Sequence, residues 1–195
     1  RRGRKWQSPC ATNIYLSLAW PITQGMSQLE GLSLSVGLAV YRTLKKHIKY
    51  DLGLKWPNDV LVDRKKIAGI LIELHGDPAD RCYAVIGVGV NINLQQDQLA
   101  IDTPWTSTLI ETGHVLDRTQ ITTELLLSIN QVLAEHLEHG FEPLRADWER
   151  AHLWHNALVK LSFAEREIEG RVLGVTAVGE LKLLVEGEER CFAGG

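Results

Sequence analysis

The most constraining feature of the sequence is a run of short apolar segments separated by turns. Between 52 and 74 the chain reads LGLKWPNDVLVDRKKIAGILIEL, in which Pro57 and the polar cluster from Asp63 to Lys66 interrupt the apolar residues. Proline fixes its own φ and cannot donate a backbone hydrogen bond, and short polar clusters between apolar runs are typical of turns. The segment therefore predicts strand, turn, strand, tight turn and strand.

Other segments add a strand on each side of this run, and helices. NIYLSLAW, from Asn13, alternates apolar and polar residues with the period of a half-buried strand that Pro21 is predicted to end, and CYAVIGVGVNIN predicts a further strand. SQLEGLSLSVGLAVYRTLKKH predicts a core helix capped by Ser27, whose internal glycines indicate close packing on a sheet. Further helices are predicted at 118–139 and 142–154. The polar stretch 95–108 predicts a long loop.

The pattern of the chain changes after His155. The remaining residues contain several short apolar runs separated by Gly and Glu-rich turns, without a helical period. This pattern is typical of a small β-barrel appended to an α/β domain. We therefore predict a larger domain at 1–155 and a small, incomplete β domain at 156–195.

Composition excludes several classes of protein. The 195 residues carry a formal net charge of −3 at pH 7, which argues against nucleic-acid binding by bulk electrostatics. The three cysteines form no CxxC pattern and favour a reducing compartment over a disulfide framework or structural zinc. No apolar run is long enough to span a membrane and no signal peptide is visible, so we expect a cytoplasmic protein. Because the chain lacks an initiator Met and ends in FAGG after an apparent strand, we also expect it to be a fragment.

The opening sequence RRGRKWQSP concentrates positive charge around a glycine. Guanidinium groups bind phosphates and carboxylates in a bidentate geometry, and a glycine lets the backbone close over a ligand. Arg1, Arg2 and Arg4 therefore form either an anion-binding loop or a solvated basic turn. These residues alone do not decide between the two.

Two further groups of residues follow the turns of the apolar run. Asn58 and Asp59 project from a strand end in KWPND, where a carboxylate and an amide suit Mg²⁺ or a nucleotide, although the same pair is also typical of an Asx turn. Lys66 opens an apolar strand that contains Gly69 and can present its ammonium to a buried anion. The alternative for Lys66 is a solubilising lysine in a hairpin turn.

The segment GVGVNIN places two glycines inside a strand and two asparagines at alternate positions. Gly87 and Gly89 indicate the close approach of a ligand or another backbone, and Asn91 and Asn93 are expected to face the same side. Ile92 stands where the third glycine of a GxGxxG motif would be, and no helix follows it. A Rossmann dinucleotide site is therefore disfavoured.

Two pairs of histidines have spacings that could suit a metal. His136 and His139 lie within a predicted helix, and His152 and His155 lie at the end of the next one. Glu135 and Glu138 flank the first pair, and we interpret both pairs as solvated helix faces rather than metal ligands.

As a set, RRGRKWxSP, KWPND, RKKIAGILIE and GVGVNIN resemble the biotin protein ligases in their order and spacing, over essentially the whole chain. The resemblance implies an α+β fold, with a mixed or antiparallel central sheet covered by helices and a small C-terminal SH3-like barrel, as in class II synthetase-like enzymes. It also implies a two-step ligase reaction. Biotin and ATP, with Mg²⁺, give biotinyl-5′-adenylate and pyrophosphate, and biotin then passes to a lysine of a biotin carboxyl carrier protein domain of a carboxylase.

The resemblance also implies roles for individual residues. Lys66 corresponds to the family's active-site lysine, near the biotin carboxyl and the α-phosphate, and Arg1 is expected against the adenylate's phosphate. The implied biotin and adenylate contacts are Arg1, Arg2, Arg4, Trp6, Lys66, Gly69 and Gly89. The implied ATP contacts are Asn58, Asp59, Asn91, Gln95 and Trp105, with Asp59 also a candidate Mg²⁺ ligand. The loop 95–105 is expected to order over the adenylate.

One departure and two rival functions accompany this resemblance. Ala11 stands in SPCAT where the family usually has a glycine. A lipoate ligase or octanoyltransferase of the same superfamily is the first rival, which the KWPND set and the terminal β region oppose. The second is a regulatory nucleic-acid-binding module that uses the opening arginines. Family members often pair, so a homodimer is expected, and DNA binding would require a winged-helix domain outside this chain.

Overall fold

A computed structural model describes residues 11–23, 25–76, 82–96, 103–163 and 166–193. Among these residues the strands are β1 Ile14–Ile22, β2 Leu52–Lys55, β3 Asp59–Val62, β4 Lys65–Gly76, β5 Cys82–Val90, β6 Leu158–Phe163, β7 Arg166–Val175, β8 Leu181–Val185 and β9 Glu188–Phe192. The helices are a 3₁₀ helix at Met26–Leu29, α1 Leu32–Leu44, α2 Thr108–Thr112, α3 Arg118–His139 and α4 Glu142–Ala151. The predicted α+β class is confirmed.

The central sheet is antiparallel throughout and has the order β1-β5-β4-β3-β2. The three strands predicted from the apolar run are β2, β3 and β4. The tight turn between β3 and β4 places Asp63 and Arg64 at φ 46° and 61°, the left-handed pair that a two-residue hairpin turn requires. The local turn chemistry therefore sets the register of the strands that follow.

Strand β1 continues through Pro21 to Ile22, so the prediction that Pro21 ends it is wrong. In the sheet β1 has one neighbour, β5, and Pro21 lies opposite Tyr83. An edge strand has one side without a partner strand, where a residue that lacks an N–H is tolerated. The proline therefore marks the sheet edge rather than the end of the strand.

Helix α1 begins at Leu32, not after the predicted cap Ser27. Gly31 adopts φ 70°, which separates the 3₁₀ helix from α1, and a Cβ on Gly31 would lie 2.6 Å from Phe141. Inside α1, a Cβ on Gly37 would lie 3.7 Å from Leu54, so the predicted close packing of the helix on the sheet is confirmed. Helices α1 and α3 pack together over this face of the central sheet.

The opposite face of the central sheet is more open. In β1 the side chain of Ile14 is buried towards the helices, whereas those of Tyr15, Ser17 and Ala19 are exposed. This alternation is the one that the sequence predicts, and it defines a face on which a ligand can lie.

The second sheet is antiparallel and has the order β6-β7-β8-β9. Val172, Leu181 and Leu183 are buried in this sheet and belong to the same apolar core as the central sheet and α1. The arrangement is consistent with an SH3-like domain, while the boundary at 155 stays a prediction. Among the helices of the described segments, none has the length and apolar character needed to cross a membrane.

Two of the histidines interpreted as solvated are buried, and that interpretation is wrong for them. His136 is 2% exposed, and its ring lies 2.8 Å from Ser35 Oγ and 3.1 Å from the Gln28 carbonyl oxygen. His152 stacks on Trp148 with ring centroids 4.7 Å apart. Burial lowers the pKa of both rings, to about 4 for His152. Ser35 of α1 and Gln28 contact the His136 ring, and Trp148 and Trp154 contact the His152 ring, which helical spacing alone does not reveal.

Candidate active site

Four residues lie in register across the open face of the central sheet. Asp59 of β3 pairs with Gly69 of β4, Gly69 pairs with Gly89 of β5, and Gly89 pairs with Tyr15 of β1. The neighbouring row, which includes Val60, is buried towards the helices, so side chains of the first row point to the opposite face. The two glycines leave a stretch of bare backbone between Asp59 and Tyr15. We call this feature the glycine trough.

Lys66 reaches one end of the glycine trough. Its Nζ lies 2.5 Å from Asp59 Oδ1, and the side chains of Lys66 and Asp59 are 41% and 19% exposed. A Cβ on Gly69 would lie 2.8 Å from both Cε and Nζ of Lys66. The glycine therefore provides the space in which the lysine ammonium lies over the sheet.

A β-bulge turns Lys66 towards this face. The register of β3 and β4 shifts between Val60 and Leu61, so that Val60 lies opposite Ala68 while Leu61 lies opposite Lys66. The extra residue of β4, Ile67, is buried beside Ala68. Bulges redirect side chains in this way, and here the bulge brings Lys66 to the same side as Gly69.

Asn58 fixes the turn that precedes Asp59. Its Nδ2 donates to the Ile70 carbonyl at 2.7 Å, and its own carbonyl accepts from the Ile70 N–H at 2.9 Å. This double contact holds the turn against β4 and so positions Asp59 beside Lys66. The predicted contact of Asn58 with ATP stays a prediction.

The end of the long loop also lies against Lys66. The Lys66 N–H donates to the Pro104 carbonyl at 3.0 Å, and the Thr106 N–H donates to the Lys66 carbonyl at 2.9 Å. Asn91 Nδ2 donates to the Thr106 carbonyl at 2.9 Å, and Trp105 between them is 8% exposed. The structure thus brings together Lys66, Asn91 and Trp105, which the sequence placed in one site.

Glu111 anchors this loop end from α2, and sequence reasoning missed it. Its carboxylate accepts from Thr106 Oγ1 at 2.5 Å, and Lys65 Nζ lies 4.0 Å away. Tyr50 Oη donates to the Glu111 backbone carbonyl at 2.5 Å and lies 3.2 Å from the carboxylate. The Glu111 side chain is only 8% exposed. Thr106 lies five residues before Glu111, whereas Tyr50 and Lys65 are far away in the sequence, so the local sequence does not reveal the full set of contacts.

A second missed contact holds Asn91. Asn13 Nδ2 donates to Asn91 Oδ1 at 3.2 Å and to Tyr15 Oη at 3.1 Å. The amide of Asn91 thereby connects β1 with the loop end at Thr106. Asn93 lies elsewhere: its amide pairs with the backbone of Leu116, so its role is structural.

Several predicted site residues lie outside the described part of the chain or at its margin. Arg1, Arg2, Arg4 and Trp6 lie outside the described residues, as does the middle of the loop, 97–102. Gln95 is exposed at the start of that loop.

Ala11 is the first described residue and has φ 62°. This conformation favours glycine, which is the residue expected at this position in the family that the sequence resembles. The turn therefore keeps its shape with an alanine, at a conformational cost.

The donor set limits what metal chemistry the site supports. Among the described residues, no group of three or more His, Cys, Asp and Glu side chains is placed to hold a metal ion. Asp59 is the predicted ligand, and one carboxylate suits Mg²⁺ when substrate phosphates and water supply the other oxygens. The residues thus fit a metal that binds together with a nucleotide.

The sequence matches known proteins over its whole length. Residues 1–91 match the Biotin/lipoate A/B protein ligase family. The bifunctional ligase/repressor BirA of Escherichia coli (strain K12) is 35% identical over 195 residues, which cover 100% of this chain and 61% of that protein. The biotin–acetyl-CoA-carboxylase ligase of Paracoccus denitrificans is 34% identical over 76% of this chain and 63% of its own length. The chain thus spans less than two thirds of either relative.

The fold matches a solved structure closely. The biotin protein ligase from Aquifex aeolicus in complex with biotin and ATP superposes with a TM-score of 0.82 and is 28% identical in sequence. The superposition covers 100% of this chain and 81% of that chain. It confirms the predicted architecture. Helices cover a central antiparallel sheet, and a smaller β region follows later in the sequence.

Proposed function

We propose that this chain, which belongs to the biotin/lipoate A/B protein ligase family and is homologous to the biotin protein ligases, activates biotin with ATP and transfers it to a protein lysine. The single observation that carries the proposal is the contact of Lys66 with Asp59 over Gly69, at the end of the glycine trough. The trough offers bare backbone to a ligand, and the lysine offers a fixed positive charge at its end.

In the first step an oxygen of the biotin carboxylate bonds to the α-phosphorus of ATP, and pyrophosphate leaves. Two anions must approach each other, so the site has to offset their repulsion and stabilise charge that develops on the phosphate. Lys66 supplies that charge, and its ion pair with Asp59 holds the ammonium in one place before the substrates arrive. Preorganisation of this kind avoids reorganisation during the reaction.

In the second step the amine of an acceptor lysine attacks the acyl carbon of the adenylate, loses a proton, and AMP leaves. The mixed anhydride is labile to water, so a segment that closes over it protects it. We assign this role to the loop 95–105. Glu111 and Thr106 anchor the end of this loop beside Lys66. No side-chain nucleophile is needed for either step.

The remaining assignments belong to the same proposal. Biotin and the adenylate would contact Arg1, Arg2, Arg4, Trp6, Lys66, Gly69 and Gly89; ATP would contact Asn58, Asp59, Asn91, Gln95 and Trp105. Mg²⁺ would bind with the ATP phosphates and one oxygen of Asp59, and would neutralise phosphate charge. The acceptor would be a biotin carboxyl carrier protein domain. A homodimer, a cytoplasmic location and DNA binding through a further domain also stay predictions.

The test incubates the full-length protein with labelled biotin, ATP, Mg²⁺ and a biotin carboxyl carrier domain. We expect biotin-dependent release of pyrophosphate and label on one acceptor lysine. The family name also covers lipoate ligases, so lipoate and octanoate are tested in parallel. Activity with these acids instead of biotin would replace the proposal with the related acyl ligase, and no acyl-dependent pyrophosphate release would reject both.

A further inference from the structure

We propose that the turn between β7 and β8 positions the KWPND turn of the active site, with Trp56 as the positioning residue between them. This inference rests on the proposed function, because it explains how Asp59 is kept beside Lys66. The turn belongs to the second sheet, whereas Asp59 and Lys66 belong to the central sheet. The contact therefore links the second sheet to the residues of the central sheet that are proposed to take part in the reaction.

Trp56 makes the connection through its indole. The side chain is 6% exposed, and Nε1 donates to the Gly179 carbonyl at 3.0 Å. Gly179 itself lies in a tight turn, in which its N–H donates to the Thr176 carbonyl at 3.0 Å and Thr176 N–H donates to the Glu180 carbonyl at 2.8 Å. A buried donor thus meets an acceptor that the turn holds in place.

Gly179 has no free space around it. Its φ is 84°, and a Cβ at this position would lie 2.7 Å from Gly31 Cα and 2.9 Å from Leu34 Cδ1. Gly31 in turn is the N-cap residue immediately before helix α1. The β7–β8 turn therefore rests directly on the backbone at the start of α1, and it cannot move inward without displacing that helix.

Helix α1 holds the other side of the KWPND turn. Ser33 Oγ donates to the Pro57 carbonyl at 3.2 Å. Trp56 and Pro57 are thus held by two different elements, and the next two residues are Asn58 and Asp59. Two hydrogen bonds join Asn58 to Ile70 of β4, so a shift of Trp56 and Pro57 must strain these bonds before it moves Asp59 relative to Lys66.

A small shift at this point is sufficient to affect catalysis. Asp59 is a proposed ATP contact, so its displacement should weaken the binding of ATP and raise KM. Misplacement by about 1 Å of a group that positions substrate can cost on the order of 100-fold, even when the change is remote from the reacting atoms. The hydrogen bond from the Trp56 indole to Gly179 and the packing of Gly179 against Gly31 and Leu34 therefore act on the reaction through Asp59 and Lys66. Neither Trp56 nor Gly179 belongs to the proposed binding residues.

The test compares Gly179→Ala with Gly187→Ala. Gly187 has φ 87° in the turn between β8 and β9, and a Cβ there would meet nothing within 4 Å. Both variants carry the same kind of backbone strain in the same sheet, and only Gly179 contacts α1. We expect Gly179→Ala to raise KM for ATP by about 10-fold or more, and Gly187→Ala to change it less than about twofold.

Trp56→Phe provides an independent variant, because it removes the donor and keeps an aromatic ring. We expect a rise in KM for ATP of about fivefold, the size of one lost hydrogen bond. A structural role alone would lower the folded fraction, and hence kcat, while KM for ATP stayed unchanged. That outcome for Gly179→Ala and Trp56→Phe would overturn the inference.

Hydrogen exchange of the Ile70 amide gives a measurement that does not depend on activity. This amide donates to Asn58. We expect faster exchange in Gly179→Ala than in Gly187→Ala, with both variants folded. Equal exchange in the two variants would also overturn the inference. If the unaltered protein forms no biotinyl-adenylate, the proposed function fails, and the exchange comparison alone decides whether the β7–β8 turn positions the KWPND turn.

Discussion

Replacement of Gly69 by alanine tests the arrangement of the active site directly. The added Cβ would lie 2.8 Å from Cε and Nζ of Lys66 and 3.5 Å from Asp59 Oδ1. Non-bonded carbon atoms attract best at about 3.5 Å or more, so the lysine end must retreat by roughly 0.7 Å. Gly69 lies within β4 and is not among the positive-φ residues, so alanine introduces no left-handed strain. The strand should remain while the ammonium moves.

We expect this movement to reduce the rate of biotinyl-adenylate formation by about 10-fold to 100-fold, because a displacement approaching 1 Å weakens a preorganised charge. The rate is measured as single-turnover pyrophosphate release. Gly37→Ala is the matched control, because its Cβ would meet Leu54 and Ile70 at 3.7 and 3.8 Å, from the opposite face of the sheet. It should leave the rate unchanged.

A double mutant tests whether Gly69→Ala lowers the rate by displacing Lys66. Lys66→Ala alone should cost about 100-fold or more in adenylate formation, by analogy with the loss of one preorganised donor. Gly69→Ala should add little in that background, because effects that pass through one residue are not additive. If Gly69→Ala costs the same factor with and without Lys66, the glycine acts by another route and the reasoning is refuted.

Three further predictions concern stability, each measured by urea denaturation. Ala11→Gly should raise the free energy of unfolding by about 0.5–1 kcal/mol, because it relieves the strain at φ 62° at some cost in chain entropy; no gain would contradict this. Glu111→Ala should lower it by about 1–3 kcal/mol, because Thr106 loses its acceptor whereas Tyr50 keeps the backbone carbonyl of residue 111, and a loss below about 0.5 kcal/mol would argue against the anchor. Stability should fall as pH drops from 6.5 towards 4, because the unfolded chain takes up a proton that buried His152 resists, and His152→Phe should remove up to about 3 kcal/mol of that dependence. Parallel pH profiles of this variant and the unaltered protein would contradict the assignment.

Local patterns predicted the elements of the fold well where turn chemistry is local. The hairpin turn at Asp63 and Arg64 lies within the predicted turn 63–66, although Lys65 and Lys66 already belong to β4, and α3 has the bounds that the sequence indicates. The errors arose where tertiary position decides. Pro21 is compatible with β1 only because β1 is an edge strand. Gly31, which separates the 3₁₀ helix from α1, lies where Phe141, distant in the sequence, leaves no space for a side chain.

The candidate site was predictable in its residue types but not in its construction. Lys66, Gly69 and Asp59 lie on consecutive strands, so their proximity follows from the hairpin. The bulge at Ile67, which turns Lys66 to the open face, leaves no clear mark in the apolar run. Glu111 also contacts Tyr50, 61 residues earlier in the sequence, and no spacing rule anticipates that contact.

The order in which the strands pair has a consequence for how the protein folds. Asp59, Gly69 and Gly89 lie in one continuous meander from β3 to β5, whereas Tyr15 reaches Gly89 from a strand far earlier in the sequence. Closing short loops costs less chain entropy than closing long ones, and non-local pairings form more slowly. The meander can therefore assemble on its own turns before β1 joins its edge. The charged end of the glycine trough would then form early, and its tyrosine end would be the last part of the sheet to be completed.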